Sequence, residues 1–155
     1  MTDRVVVIGV GNEFRRDDGV GLRVLESLRP LVPDTVRLVV SDGEPVRLIE
    51  EWSDSDLAVV IDAVRAGALG TPAPGRTYRL EIEQVGGEPL AAVSSHGLGL
   101  GNAISLARTL DMLPNRLVVH AVEVADCGYG TGLTPAVAGA ADTLTTAVLA
   151  DLGIS

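Results

Sequence analysis

A chain of 155 residues, 46% hydrophobic but only 3% aromatic, is long enough for one domain spanning residues 1–155 and must fill its core with Val, Leu, Ile and Ala. The formal net charge of −9 lacks the basic footprint that nucleic acid or an anionic membrane surface requires, so neither is expected as a partner. The lone Cys127 cannot form an internal disulfide, the N-terminal apolar run is too short for a signal sequence, and no stretch approaches a membrane span; a cytoplasmic setting is expected.

Arg4 to Gly9 reads RVVVIG, a β-branched apolar run that fits a strand buried on both faces. Gly11-Asn12 breaks it, and Val20, Val24 and Leu28 then recur at helical spacing, which predicts a helix from about Asp18 to Leu28, ended by Pro30. Val36 to Val40 is a second strand. Asp42 stands as the N-cap of a helix with Pro45 in its first turn and Leu48, Ile49 and Trp52 as its buried stripe. Leu57 to Ala63 is a third buried strand, and Arg65 to Arg76 a Gly- and Pro-rich loop.

Thr77 to Glu83 alternates apolar and polar residues, the pattern of a half-exposed antiparallel edge strand. After a polar turn at Gly86 to Pro89 and the segment SSHGLGLG, a stripe of Leu100, Ala103, Ile104, Ala107 and Leu110 marks a helix. Leu117 to Val124 is the last strand. Thr134-Pro135 caps a long final helix carrying Val137, Ala141, Leu144 and Val148. The order β-α-β-α-β-β-α-β-α, with right-handed crossovers, predicts a three-layer α/β/α sandwich around a mostly parallel five-stranded sheet with one antiparallel edge strand.

Open parallel sheets bind ligands at the carboxyl ends of their strands. Asp17-Asp18 follow the first strand, Asp42 the second, and Asp62 ends the third; His96 lies in a glycine-flanked segment before a helix. Asp18, Asp62 and His96 can therefore converge on one rim. Two carboxylates and an imidazole suit Ni, Zn or Fe, although no HExxH-type spacing links them. Asp17 and Asp42 read as helix caps, with Asp18 divided between a cap and a site. Asp62 ends an apolar strand, where an unpartnered carboxylate is costly, so it reads as functional. His120, within a strand, reads as structural, and Cys127, with no paired base in sequence, as an ordinary thiol. GVGNEF lacks the third glycine of a dinucleotide fingerprint, which counts against a nucleoside- or phosphate-binding enzyme.

Four segments resemble, in order, the motifs of hydrogenase maturation endopeptidases: IGVGNEFRRDDGVGLRV (Ile8 to Val24), VVIDAV (Val59 to Val64), SSHGLGL (Ser94 to Leu100) and GLTP (Gly132 to Pro135). The resemblance implies an endopeptidase, often grouped as aspartic-type, that removes the C-terminal extension of a nickel–iron hydrogenase large-subunit precursor after nickel insertion. It implies that nickel, supplied by the substrate, is contacted by two acids and a histidine, which map onto Asp18, Asp62 and His96 as both metal-contacting and catalytic residues. Position 18 is Asp where some members carry Glu. Asp42-Gly43-Glu44-Pro45 stands where D-G-G-T is common, which withholds a catalytic role from Asp42 and makes Glu44 an extra carboxylate near the site. A non-catalytic nickel-binding maturation chaperone is the alternative reading of the same residues.

Overall fold

The computed structural model describes residues 4–67, 70–83 and 100–154. Five strands, β1 (Val5–Val10), β2 (Val36–Ser41), β3 (Leu57–Val64), β4 (Thr77–Glu83) and β5 (Arg116–Glu123), form one sheet in the order β2-β1-β3-β5-β4. All neighbours run parallel except β4 and β5, which pair antiparallel from Thr77↔Val122 to Glu83↔Arg116. The alternation in Thr77–Glu83 therefore identified the antiparallel edge strand correctly.

The apolar runs of the central strands supply both faces of the sheet. Val6, Ile8 and Val10 of β1, Ala58 and Val60 of β3, and Leu117 and Val119 of β5 pack with helices α2 (Pro45–Trp52) and α3 (Leu100–Thr109). Their neighbours in sequence, Val7, Val59, Ile61 and Val118, point the other way, against α1 (Val20–Leu28) and α4 (Pro135–Asp151). Trp52, the one large ring in the core, is fully buried on the first face. Because side chains alternate along a strand, Asp62 shares the α2/α3 face with Val60 and Val64.

Helix α1 sits unusually low on the sheet. A Cβ on Gly21 would come 2.9 Å from both the Ile61 carbonyl oxygen and the Val10 nitrogen, and one on Gly9 would come 2.7 Å from the Gly21 carbonyl oxygen. Only paired glycines allow this approach, and it fixes the start of α1 against the carboxyl ends of β1 and β3.

Local structure departs from expectation at three helix starts. The segment expected to open α1 is a separate 3-10 turn, Arg16–Gly19, and Gly19 stands at the N-cap of α1 without a side-chain cap. Asp42 does not cap α2. Glu44 does, its two carboxylate oxygens accepting from the Val46 and Arg47 N–H groups at 3.1 and 3.0 Å, while Asp42 accepts from Glu44 N–H at 3.0 Å. The longer Glu side chain reaches the free amides of the first turn, so Glu44 is spent as a cap and is not a spare carboxylate. Thr134 occupies the N-cap of α4, but its hydroxyl is used elsewhere.

Candidate active site

The sheet order creates the site before any side chain is placed. From β1 the chain crosses to β2 on one side and then back over β1 to β3 on the other. The connections leaving β1 and β3 run in opposite directions along the sheet, towards β2 and towards β4, which opens a crevice at their carboxyl ends. An open depression of about 470 Å³ lies there, lined by Val10, Gly11, Asn12, Arg15, Asp18, Asp42, Gly43, Asp62, Ala63 and Leu100.

Asp18 reaches this depression through a turn that only glycine can start. Gly11 has φ 143°, and a Cβ there would lie 2.0 Å from the Asp18 carbonyl oxygen. The Gly11 N–H donates to the Ser41 carbonyl at 3.0 Å, tying the turn to the end of β2. The turn then folds back on Asp18, whose carboxylate accepts from Asn12 N–H at 2.9 Å. Burial raises the Asp18 carboxyl above its ordinary range, and the Asn12 amide and the nearby Arg15 guanidinium offset part of that rise.

Asp62 is 8% exposed at the end of β3, with one hydrogen bond from Ala63 N–H at 2.8 Å. Burial pushes its pKa up to about 7, opposed by the Ala63 bond and reinforced by the Asp18 charge. The Asp18 charge acting on Asp62 places the two carboxyl groups in one electrostatic environment. Among the described residues neither forms an ion pair with an arginine. Asp62 is thus partly protonated at neutral pH, and an entering cation would favour the charged form of both carboxyl groups. Asp42, exposed and released from capping, supplies a third carboxylate to the wall. Among the described residues no group of three donors is close enough to hold a metal ion. His96 lies outside the described residues, as does the turn at Gly86 to Pro89.

Asp17, the partner of Asp18 in sequence, does different work. It is fully buried and caps no helix. Its carboxylate accepts from Ala125 N–H at 2.9 Å, Asp126 N–H at 3.0 Å, Thr134 N–H at 2.7 Å and the Thr134 hydroxyl at 2.8 Å. Burial alone would raise its pKa, but these donors outweigh it and hold the carboxyl below the usual range. Asp17 therefore fastens the loop after β5 and the start of α4 to the 3-10 turn that presents Asp18. Sequence reading treated Asp17 as a cap because its true partners lie over a hundred residues away.

Neither His120 nor Cys127 is among the described lining residues of the crevice. His120 is 2% exposed on β5, with Nε2 2.6 Å from Asp151 Oδ2 at the end of α4; it pairs with Ile61 and lies on the α1/α4 face of the sheet, opposite to the face that carries Asp62. The Cys127 thiol is pushed above its ordinary range, first by burial and then by Asp18 and Asp17, which disfavours a thiolate. Arg15 went unnoticed in the sequence, yet it is the one basic residue among the described lining residues of the crevice.

The chain's relatives agree with this architecture. A family model described as hydrogenase maturation protease matches residues 22–151. The hydrogenase 2 maturation protease of Escherichia coli strain K12 is 29% identical over 136 residues, covering 86% of this chain and 81% of that protein. The hydrogenase expression/formation protein HupD of Rhodobacter capsulatus is 30% identical over 146 residues, covering 90% and 67%. The solved structure of the hydrogenase maturating endopeptidase HybD from Escherichia coli superposes with a TM-score of 0.77 at 28% identity, over 96% of this chain and 91% of that one. With the family model matching from within α1 to the end of α4, the chain belongs to the hydrogenase maturation protease family and is a peptidase.

Proposed function

We propose that this endopeptidase removes the C-terminal extension of a nickel–iron hydrogenase large-subunit precursor and recognises it through nickel already held by the precursor. The observation that carries the reading is the meeting of Asp18 and Asp62 in one crevice at the β1/β3 switch point, in a chain whose relatives are maturation proteases. Carboxylate oxygens suit a borderline divalent ion that keeps open coordination positions. His96 is the third contact in this reading.

The nickel belongs to the substrate, and engaging it fixes the precursor's tail across the rim. Water attacks the scissile carbonyl carbon. A carboxylate of the crevice takes the proton from that water and returns it to the amide nitrogen as the C–N bond breaks. This is carboxylate chemistry of the aspartic type, and the raised Cys127 thiol supports it over a thiol route. The whole chain acts as one unit in the cytoplasm on a protein partner. Its lone cysteine and net charge of −9 support that setting, and no helix among the described residues is long and apolar enough to cross a membrane.

The test is intact-mass spectrometry of purified large-subunit precursor before and after incubation with the protein. Loss of a single C-terminal peptide is the expected result. A precursor that stays whole while remaining bound would instead make the protein a nickel-reading chaperone.

A further inference from the structure

The chain contains only four aromatic residues: one Trp, one Phe and two Tyr. Trp52 fills the core, whereas Phe14 is 62% and Tyr129 85% exposed. Two of the few rings this protein has are thus left in water, and they are neighbours. Gly130 N–H donates to the Phe14 carbonyl at 2.9 Å and Arg16 N–H to the Gly130 carbonyl at 3.1 Å, so the loops after β1 and β5 run side by side through a parallel bridge at Arg15 and Gly130. Arg15 connects them further. Its guanidinium lies 5.1 Å from the Tyr129 ring centroid, within cation–π reach, and its Nε donates to the Cys127 carbonyl at 3.0 Å. The same Arg15 lines the crevice that holds Asp18 and Asp62.

Exposed aromatic rings beside an arginine, on loops braced by backbone hydrogen bonds, have the composition and low ordering cost of a binding anchor. We propose that Phe14, Arg15 and Tyr129 form the docking rim for the precursor, gripping an extended apolar stretch next to the scissile bond, with Arg15 leading that stretch into the crevice. The inference rests on the function proposed above and names where its substrate is held. The occupant follows from continuity: Arg15 belongs to both the aromatic patch and the crevice, so a chain crossing one enters the other. Arg15 also offers the only cation among the described lining residues, which suits a backbone carbonyl or a carboxylate of the passing chain. Asp17, holding the loop after β5 to the 3-10 turn, keeps the patch and the crevice in fixed relation.

Steady-state processing of nickel-loaded large-subunit precursor by wild type, Phe14→Ala, Tyr129→Ala and the double variant tests this. Leu31→Ala, which alters another exposed apolar side chain, is the control. The double variant should raise KM about tenfold, change kcat less than about twofold and melt at the wild-type temperature; the control should match wild type. Wild-type KM in the double variant overturns the docking rim alone, and so does a fall in kcat without a rise in KM. Sedimentation showing that the rings hold two copies of this chain together would assign the patch to self-association and overturn the proposal. Failure of wild type to cleave the precursor overturns the proposed function and this inference with it.

Discussion

Asp62 is held in a fold that favours its protonated form, and this has a definite sign. Its folded pKa of about 7 lies above the unfolded value of 3.8. The folded state therefore binds more protons than the unfolded chain between these values, and the Asp62 contribution to stability is lost as pH rises from about 4 to about 7. The loss is on the order of 4 kcal/mol at most. Asp62→Asn, which keeps the acceptor for Ala63 N–H, should be more stable than wild type at pH 8 and show a flatter stability profile across that window. Urea denaturation at a series of pH values checks this; a variant that is less stable at pH 8 would contradict it. Asp17 has the opposite sign. Its stabilisation is present above about pH 4 and is lost as pH falls through its depressed folded pKa. Asp17→Asn places an amide among N–H donors and should cost about 2–4 kcal/mol, with Thr134→Val costing less. Thermal unfolding at pH 7 measures both. That Asp18 and Asp62 line one crevice could be anticipated from their place after β1 and in β3, because the carboxyl ends of parallel strands open onto such a crevice. Asp17 could not, since nothing local in DD announces amides at 125, 126 and 134.

Among the elements, the α1–sheet contact governs where the site is held. Gly21→Ala must push α1 off Ile61 and Val10 by several tenths of an ångström, and overpacking of this kind costs about 1–3 kcal/mol. Because the 3-10 turn carrying Asp18 leads directly into α1, processing should fall further than the loss of stability explains. A melting temperature and an activity measured on the same preparation separate the two, and unchanged values in both would contradict the close approach. At α2, Glu44→Ala removes the cap and should cost about 1 kcal/mol, whereas Asp42→Ala should cost less. Strand and helix periodicity made the elements and the antiparallel β4 legible, since a period of two or 3.6 is written into adjacent residues. Cap assignments were less legible. Asp42 and Glu44 are both plausible caps in sequence, and only the backbone path through Gly43, at φ 90°, decides which carboxylate meets the free amides.

At the level of the whole molecule, a sheet with one switch point, a helix seated on paired glycines and a loop pinned by Asp17 together present carboxylates on one open rim. The crevice offers a cation two acids that form no ion pair with an arginine among the described residues. An unmetallated tail would leave those acids unpaired, so discrimination should depend on the metal in the substrate. The three-layer sandwich with one antiparallel edge strand was readable in advance because nine elements in that order leave few right-handed arrangements, whereas the strand order came from the structure. The aromatic rim was not, since exposure of Phe14 and Tyr129 depends on a bridge between residues 15 and 130. Metal reading by Asp18, Asp62 and His96 is the central claim, and one measurement addresses it most directly. Nickel-loaded and nickel-free precursor are incubated separately with wild type, Asp18→Asn, Asp62→Asn and His96→Ala, and cleavage is followed by intact-mass spectrometry. Wild type should cut only the nickel-loaded precursor, and each variant should lose processing severely while remaining folded. Equal cleavage of both precursors by wild type, or full activity in Asp62→Asn or His96→Ala, would contradict the account.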